Sequence, residues 1–151
     1  MSYAVVGGTF DTLHKGHRML IARAFRTADR VLVCVTSDGM AGRKHLAYRI
    51  GTYHSRRKRL EGFLRDRGWL GRAEILKITD PFTEGLRPGL THIIVSPETL
   101  ANARKLNAMR RQKGLRELEI VVVDWVMAAD GRPISDGRIR NGEIDGDGNL
   151  V

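Results

Sequence analysis

Five short apolar runs, Tyr3 to Val6, Val31 to Val35, Ile75 to Ile78, Ile93 to Val95 and Ile120 to Val123, punctuate the chain at intervals that leave room for a helix between most of them. They are rich in β-branched residues, and several are apolar throughout. A strand with one wet face alternates polar and apolar positions, so unbroken runs belong in a sheet covered on both sides. The intervening segments carry helical spacing. Leu20, Ile21, Ala24, Phe25 and Ala28 make one apolar face after the first run, and Leu60, Phe63 and Leu64 make another before the third. Between the fourth and fifth runs, Pro97 suits the first turn of a helix and Gly114 its end. The connection from Ile78 to Ile93 holds Pro81, Pro88 and two glycines, which predicts no long helix there. The pattern is α/β, a Rossmann-like doubly wound sheet of about five parallel strands. At 151 residues, a single domain over 1–151 is expected.

Composition narrows the class. A hydrophobic fraction of 42% and a charged fraction of 28% are those of a globular protein. No apolar run approaches the roughly 20 residues of a membrane span. The start, Met1 to Val6, runs straight into a strand without the parts of a signal peptide, so a cytoplasmic location is expected. Cys34 is the only cysteine, which excludes an intrachain disulfide and a multi-cysteine zinc site. Within Val31-Leu32-Val33-Cys34-Val35 it reads as a small buried residue.

The net charge of +9 points to an anionic partner without saying which kind. Ten Lys or Arg residues lie between Arg43 and Arg72 against two acids, Glu61 and Asp66, and a second basic cluster runs from Arg104 to Arg116. Nucleic acid, a polyphosphate or a solvated face would each account for them. Ser55-Arg56-Arg57-Lys58-Arg59 is the densest run, but a helix spreads consecutive residues around its circumference, so they form no single phosphate-tracking stripe. A solvated face, or one member reaching a phosphate-rich ligand, is the expectation. With four Phe, three Tyr and two Trp the chain is short of stacking platforms, so nucleic acid is not the expected partner.

Sheets of this class bind ligands beyond the carboxyl ends of their strands. Unusual residues do collect there, at Gly7 to His17, Ser37 to Lys44, Asp80 to Thr83 and Ser96 to Thr99. The first of these reads Gly7-Gly8-Thr9-Phe10-Asp11-Thr12-Leu13-His14-Lys15-Gly16-His17 and opens a helix. Two glycines permit a tight turn close to a ligand, and a helix start favours an anion. His14 and His17, three apart, share one side of a first helical turn, with Gly16 leaving room between them. The combination predicts a phosphate site with two imidazoles aimed at it. It is neither a dinucleotide fingerprint nor a Walker loop. Zinc is disfavoured, since no third ligand is signalled nearby, and no protein-bound metal is assigned.

Gly8-Thr9-Phe10-Asp11 followed by His14-Lys15-Gly16-His17 resembles the G-T-F-D and H-x-G-H signature of the nucleotidyltransferase superfamily. Within it, Thr36-Ser37-Asp38, Val95-Ser96-Pro97-Glu98-Thr99 and Ile139-Arg140-Asn141-Gly142-Glu143-Ile144-Asp145 are similar to archaeal phosphopantetheine adenylyltransferases, relatives of a domain of eukaryotic coenzyme A synthase. The resemblance implies a nucleotidyltransferase fold and transfer of the adenylyl group of ATP to 4′-phosphopantetheine, with magnesium carried mostly by the phosphates. It implies His17, Lys44 and Thr9 as catalytic residues. ATP contacts are implied for Gly8, Thr9, Phe10, His14, His17, Ser96, Glu98, Arg110, Ser135 and Arg138, and acceptor contacts for Thr9, Lys44, Asp80, Phe82 and Asn107. Arg43 rivals Lys44.

Ile134-Ser135-Asp136-Gly137-Arg138-Ile139-Arg140 departs from the family's I-S-S-T-x-I-R, with Asp136 and Gly137 in place of Ser and Thr. Asp136 suits a helix cap, yet a carboxylate there repels a triphosphate unless magnesium or Arg138 intervenes. Three alternatives stay open: another acceptor, nicotinamide mononucleotide or a polyol phosphate with CTP; an RNA-binding module; and a nucleotide-binding protein without catalysis.

Overall fold

The computed structural model describes residues 1–44 and 46–151. Strands β1 (Tyr3–Gly8), β2 (Arg30–Thr36), β3 (Ala73–Ile78), β4 (His92–Val95) and β5 (Glu119–Val122) form one sheet in the order β3-β2-β1-β4-β5. Every neighbouring pair is parallel. Helices α1 (Lys15–Thr27), α2 (Asp38–Ala41), α3 (Tyr53–Asp66), α4 (Leu100–Gln112) and α5 (Asp136–Arg140) complete the framework.

The unbroken apolar runs are explained by the two cores they serve. Ala4, Val6, Val31, Val33 and Val35 point to one face, where Ile21, Ala24 and Phe25 of α1 and Leu60 and Leu64 of α3 pack. Val5, Leu32 and Cys34 point to the other, against Leu90, Leu106 of α4 and Leu118. A third cluster, Ala128, Ile134 and Ile144, folds the C-terminal segment and sets α5 in place. Lys15 donates its backbone N–H to Gly146 at 2.8 Å, fastening that segment to the start of α1.

Element boundaries differ from the sequence expectation where local bonds decide them. Pro97 lies in a turn, in which the Thr99 N–H reaches the Ser96 carbonyl at 3.1 Å, so α4 begins only at Leu100. Gly114, at φ +73, ends α4, and Leu115 donates to the Arg110 carbonyl at 2.8 Å. The polar stretch Ser37 to Lys44 contains the short α2, capped by the Ser37 hydroxyl. From Ile78 to Ile93 there is one turn of 3-10 helix, Thr83–Leu86, and no long helix. No helix among the described residues is long and apolar enough to cross a membrane.

The chain leaves β1 toward β2 on one side and later returns to β4 on the other, so the carboxyl end of β1 is the switch point of the sheet. A guanidinium secures that point. Arg56 of α3 is 0% exposed. Its Nη1 donates to the Thr9 carbonyl at 2.9 Å and the Thr36 hydroxyl at 3.3 Å, its Nε to the Gly51 carbonyl at 2.9 Å, and its Nη2 to Asp38 at 3.1 Å. Replacing it strands buried acceptors and leaves Asp38 without its cation. Arg56→Met is therefore expected to lower unfolding free energy by about 3 kcal/mol in urea denaturation; a loss below about 1 kcal/mol would contradict the role given to it here.

Candidate active site

Beyond β1 the chain turns through two non-glycine residues in the left-handed region, Phe10 at φ 51 and Leu13 at φ 45. Each such position costs of order 1 kcal/mol or more and persists where packing enforces it. Here both side chains are buried in the core under α1, Phe10 at 0% exposure. A Cβ on Gly8 would stand 2.9 Å from the Phe10 ring, and one on Gly16 2.9 Å from His14 Cε1. Both glycines are thus required by close approach. Asp11 is buried, with Oδ1 accepting from the Gly51 N–H at 2.9 Å, and its carbonyl accepts from Arg59.

His14 caps α1, and its Nδ1 accepts from the His17 N–H at 3.2 Å. A ring nitrogen that accepts carries no proton, so neutral His14 has its proton on Nε2. The His17 ring stacks on it, centroids 3.7 Å apart at 17°, and meets Phe10 edge-on at 5.2 Å. His17 Nδ1 is buried without a hydrogen-bond partner. Its Nε2 faces Asp136 Oδ2 at 3.5 Å, and His14 Nε2 faces Asp136 Oδ1 at 4.0 Å. The Thr12 hydroxyl donates to the same Oδ1 at 2.8 Å. One hydroxyl and two imidazole edges therefore converge on a single carboxylate.

Burial pushes both imidazoles below the ordinary histidine value, opposed by the charge of Asp136. Nearby Lys44 pushes His17 in the same direction as burial, which places its ammonium within electrostatic reach of the ring. Near neutral pH the site presents neutral N–H donors. One ligating atom from each of His14, His17 and Asp136 lies within 4.8 Å of the others, so the third ligand that the sequence did not signal is present in space. Their bonding suits an anion better than a transition metal. Coordination through His14 Nε2 would put the proton on Nδ1 and break the bond from the His17 N–H.

Thr9, 5% exposed, receives a hydrogen bond from the Thr36 hydroxyl at 3.0 Å. With Gly8 and Lys44 it lines a cavity of about 290 Å³ that runs over the sheet edge between β1, β2 and β4. The walls are largely apolar, from Val5, Cys34, Ile78, Ile93, Val95 and Leu106, with Asp80 at one side. Burial pushes the Cys34 thiol up to about 12, so it serves as an apolar wall and not as a nucleophile. The Asp80 carboxylate holds its own turn, accepting from the N–H groups of Phe82 and Thr83 at 2.8 Å each. Phe82 packs beneath, against the apolar cluster of Val5, Leu32 and Leu106. Ser96 and Glu98 sit in the turn after β4, Glu98 exposed, and Thr99 of that turn is the residue that lines the cavity.

Several residues expected at the ligand have partners within the protein. Asn107 is buried and pairs both ways with Leu118, donating to its carbonyl at 2.9 Å and accepting its N–H at 2.8 Å. Arg110, 1% exposed, donates to the carbonyls of Arg116, Gly85 and Arg87. Both side chains dock the loops around α4, because each satisfies backbone groups that water cannot reach. Ser135 caps α5, accepting from the Arg138 N–H at 3.3 Å, and Arg138 is paired with Asp130. The capping role suggested for Asp136 thus belongs to Ser135.

Sequence reasoning missed Arg56, Arg59 and Asp11 as the frame of the turn. Arg56 had a readable signal, since it shares the apolar face of α3 with Leu60 and Leu64 at intervals of four. Within the run Arg56 to Arg59 only Arg56 is buried; Lys58 and Arg59 are exposed, Arg59 reaching back to the Asp11 carbonyl, and Arg57 pairs with Glu61 at 2.8 Å.

The sequence profile of the cytidylyltransferase-like family matches residues 5–142. A phosphopantetheine adenylyltransferase of Methanothermobacter thermautotrophicus is 44% identical over 99% of this chain and 90% of that one. Another, of Pyrococcus abyssi, is 42% identical over 97% and 94%. Among solved structures, a protein of unknown function from Archaeoglobus fulgidus superposes with a TM-score of 0.72 at 34% identity, covering 82% of this chain and 99% of that one. A bifunctional NMN adenylyltransferase/ADP ribose pyrophosphatase of Francisella tularensis shares the fold, with a TM-score of 0.63 at 15% identity, over 93% of this chain and 40% of that one. The signature turn, the parallel sheet and these matches together make the chain a member of the cytidylyltransferase-like nucleotidyltransferases and, within them, of the phosphopantetheine adenylyltransferase family.

Proposed function

We propose that the chain transfers the adenylyl group of ATP to 4′-phosphopantetheine, giving dephospho-coenzyme A and pyrophosphate. Beyond the names of its relatives, the observation that carries this reading is the join between the two halves of the site. Donors for phosphate at Thr12, His14 and His17 stand beside Thr9 and Lys44, which line a largely apolar cavity of about 290 Å³. An acceptor with an anionic head and a long, weakly polar arm matches that shape.

An oxygen of the acceptor phosphate attacks the α-phosphorus of ATP, the new P–O bond forms, and the bond to the β-phosphate breaks to release pyrophosphate. The nucleophile is already an anion, so alignment and charge stabilisation are what the protein supplies. Lys44 and Thr9 hold the attacking phosphate at the cavity mouth. His17, with Nε2–H directed at the anion position, stabilises the charge that develops on the α-phosphate, and His14 holds a neighbouring oxygen. Gly8 and Phe10 shape the turn against the nucleotide, and the turn Ser96 to Glu98 flanks it on the β4 side.

Magnesium neutralises triphosphate charge when bound. The Asp136 carboxylate, an oxygen donor facing the same position, is the side chain suited to share it, whereas the tautomer of His14 is not. A cytoplasmic location belongs to the same reading.

Two measurements test this reading. Pyrophosphate release is expected with ATP plus 4′-phosphopantetheine and with no other pairing from a panel of nucleoside triphosphates and phosphorylated acceptors. His17→Ala should lower kcat by roughly a hundredfold or more with its fold intact, as loss of one transition-state donor does; near-normal turnover would contradict the assignment. The second concerns pH. The native His17 holds its proton less tightly than the unfolded chain, whose value is 6.5. The stability that neutral His17 contributes is fully present above that value and is lost as pH falls from there through the folded value of about 4. Urea denaturation at pH 7.5 and 5.5 should show a stability loss in the wild type that His17→Gln reduces; an equal loss in both would contradict it.

A further inference from the structure

Asp136 stands where a phosphate is wanted. Its carboxylate takes the Thr12 hydroxyl at 2.8 Å and faces His17 Nε2 at 3.5 Å and His14 Nε2 at 4.0 Å. These are the donors that the reaction assigns to nucleotide phosphate. The side chain is 15% exposed, so it lies within the site and not at its rim. Among the described residues no guanidinium pairs with it. Arg138, two residues along, is spent on Asp130 and the Pro133 carbonyl, and Arg18 is paired with Asp147. A phosphate brought to the same donors in this partly buried site would be repelled by the carboxylate.

We propose that Asp136 is a resident anion in the phosphate site, which holds the two imidazoles in their donor orientation before nucleotide arrives and makes nucleotide binding depend on a divalent cation. Free ATP has to compete with the carboxylate for Thr12, His14 and His17. ATP accompanied by a hard cation does not, because the carboxylate becomes an oxygen ligand or counter-charge for the incoming metal. Position 136 thereby sets which ionic form of the nucleotide is admitted. The inference rests on the adenylyl-transfer reading for the identity of the nucleotide.

The test is calorimetric titration of ATP into the full chain, with EDTA and with magnesium, for the wild type, Asp136→Asn and Asp136→Ser. Asn keeps the shape and the bond from Thr12 while removing the charge, and Ser is the smaller neutral control. In EDTA both variants should bind ATP at least roughly tenfold more tightly than the wild type, and the gain in affinity on adding magnesium should shrink by a similar factor. If neither variant binds metal-free ATP more tightly, the proposal is overturned, while pyrophosphate release by the wild type leaves the transferase reading standing. If no form binds ATP with or without magnesium, both fall. A purely structural Asp136 would lower stability in the variants and leave the ratio of the two affinities unchanged, which also overturns it.

Discussion

The site depends on one buried guanidinium. Arg56 reaches the residue after β1, the last residue of β2, the approach to α3 and the first residue of α2 at once, and nothing of it is exposed to water. A backbone that passes through Phe10 and Leu13 in the left-handed region is strained and needs anchoring from outside. Arg56 anchors it at Thr9, Arg59 at the Asp11 carbonyl, and the Asp11 side chain at Gly51. Through the Thr36 hydroxyl the same guanidinium orients Thr9 Oγ1, so a charge in the core determines the aim of a polar group at the cavity.

On that frame the chemistry is a matter of which nitrogen holds a proton. The cap bond from the His17 N–H to His14 Nδ1 leaves the Nε2 edge of His14 as a donor, and stacking keeps the two rings nearly parallel and facing the same way. Burial keeps them neutral, which lowers the cost of holding two imidazoles in contact. The arrangement is preorganised for an oxyanion, and in this chain Asp136 meets it from within. The same geometry brings three metal-type side chains together while the cap bond occupies His14 Nδ1.

Much of this was legible in the sequence. The apolar runs carried the parallel sheet, since a strand buried between Ile21 on one side and Leu106 on the other has no polar face to show. Gly8, Gly16 and the two histidines carried the site, because close approach and cap geometry depend on neighbours a few residues away. Asn107 and Arg110 were misleading for a physical reason. A polar side chain at helical spacing looks the same whether it meets a ligand or the carbonyls of its own loops, and only the fold brings Leu118, Gly85 and Arg87 to them. Asp136 could be seen as a departure from the family pattern, but its partners Thr12, His14 and His17 lie at the opposite end of the chain.

On this proposal Thr12, His14 and His17 form one oxyanion site that nucleotide phosphate shares with Asp136. A crystal structure of the chain with magnesium and a non-hydrolysable ATP analogue tests it most directly. An α-phosphate oxygen is expected within about 3 Å of His17 Nε2, with the Asp136 carboxylate withdrawn from the imidazoles or separated from the phosphates by the cation. A triphosphate bound elsewhere, with His14 and His17 still facing Asp136, would contradict it.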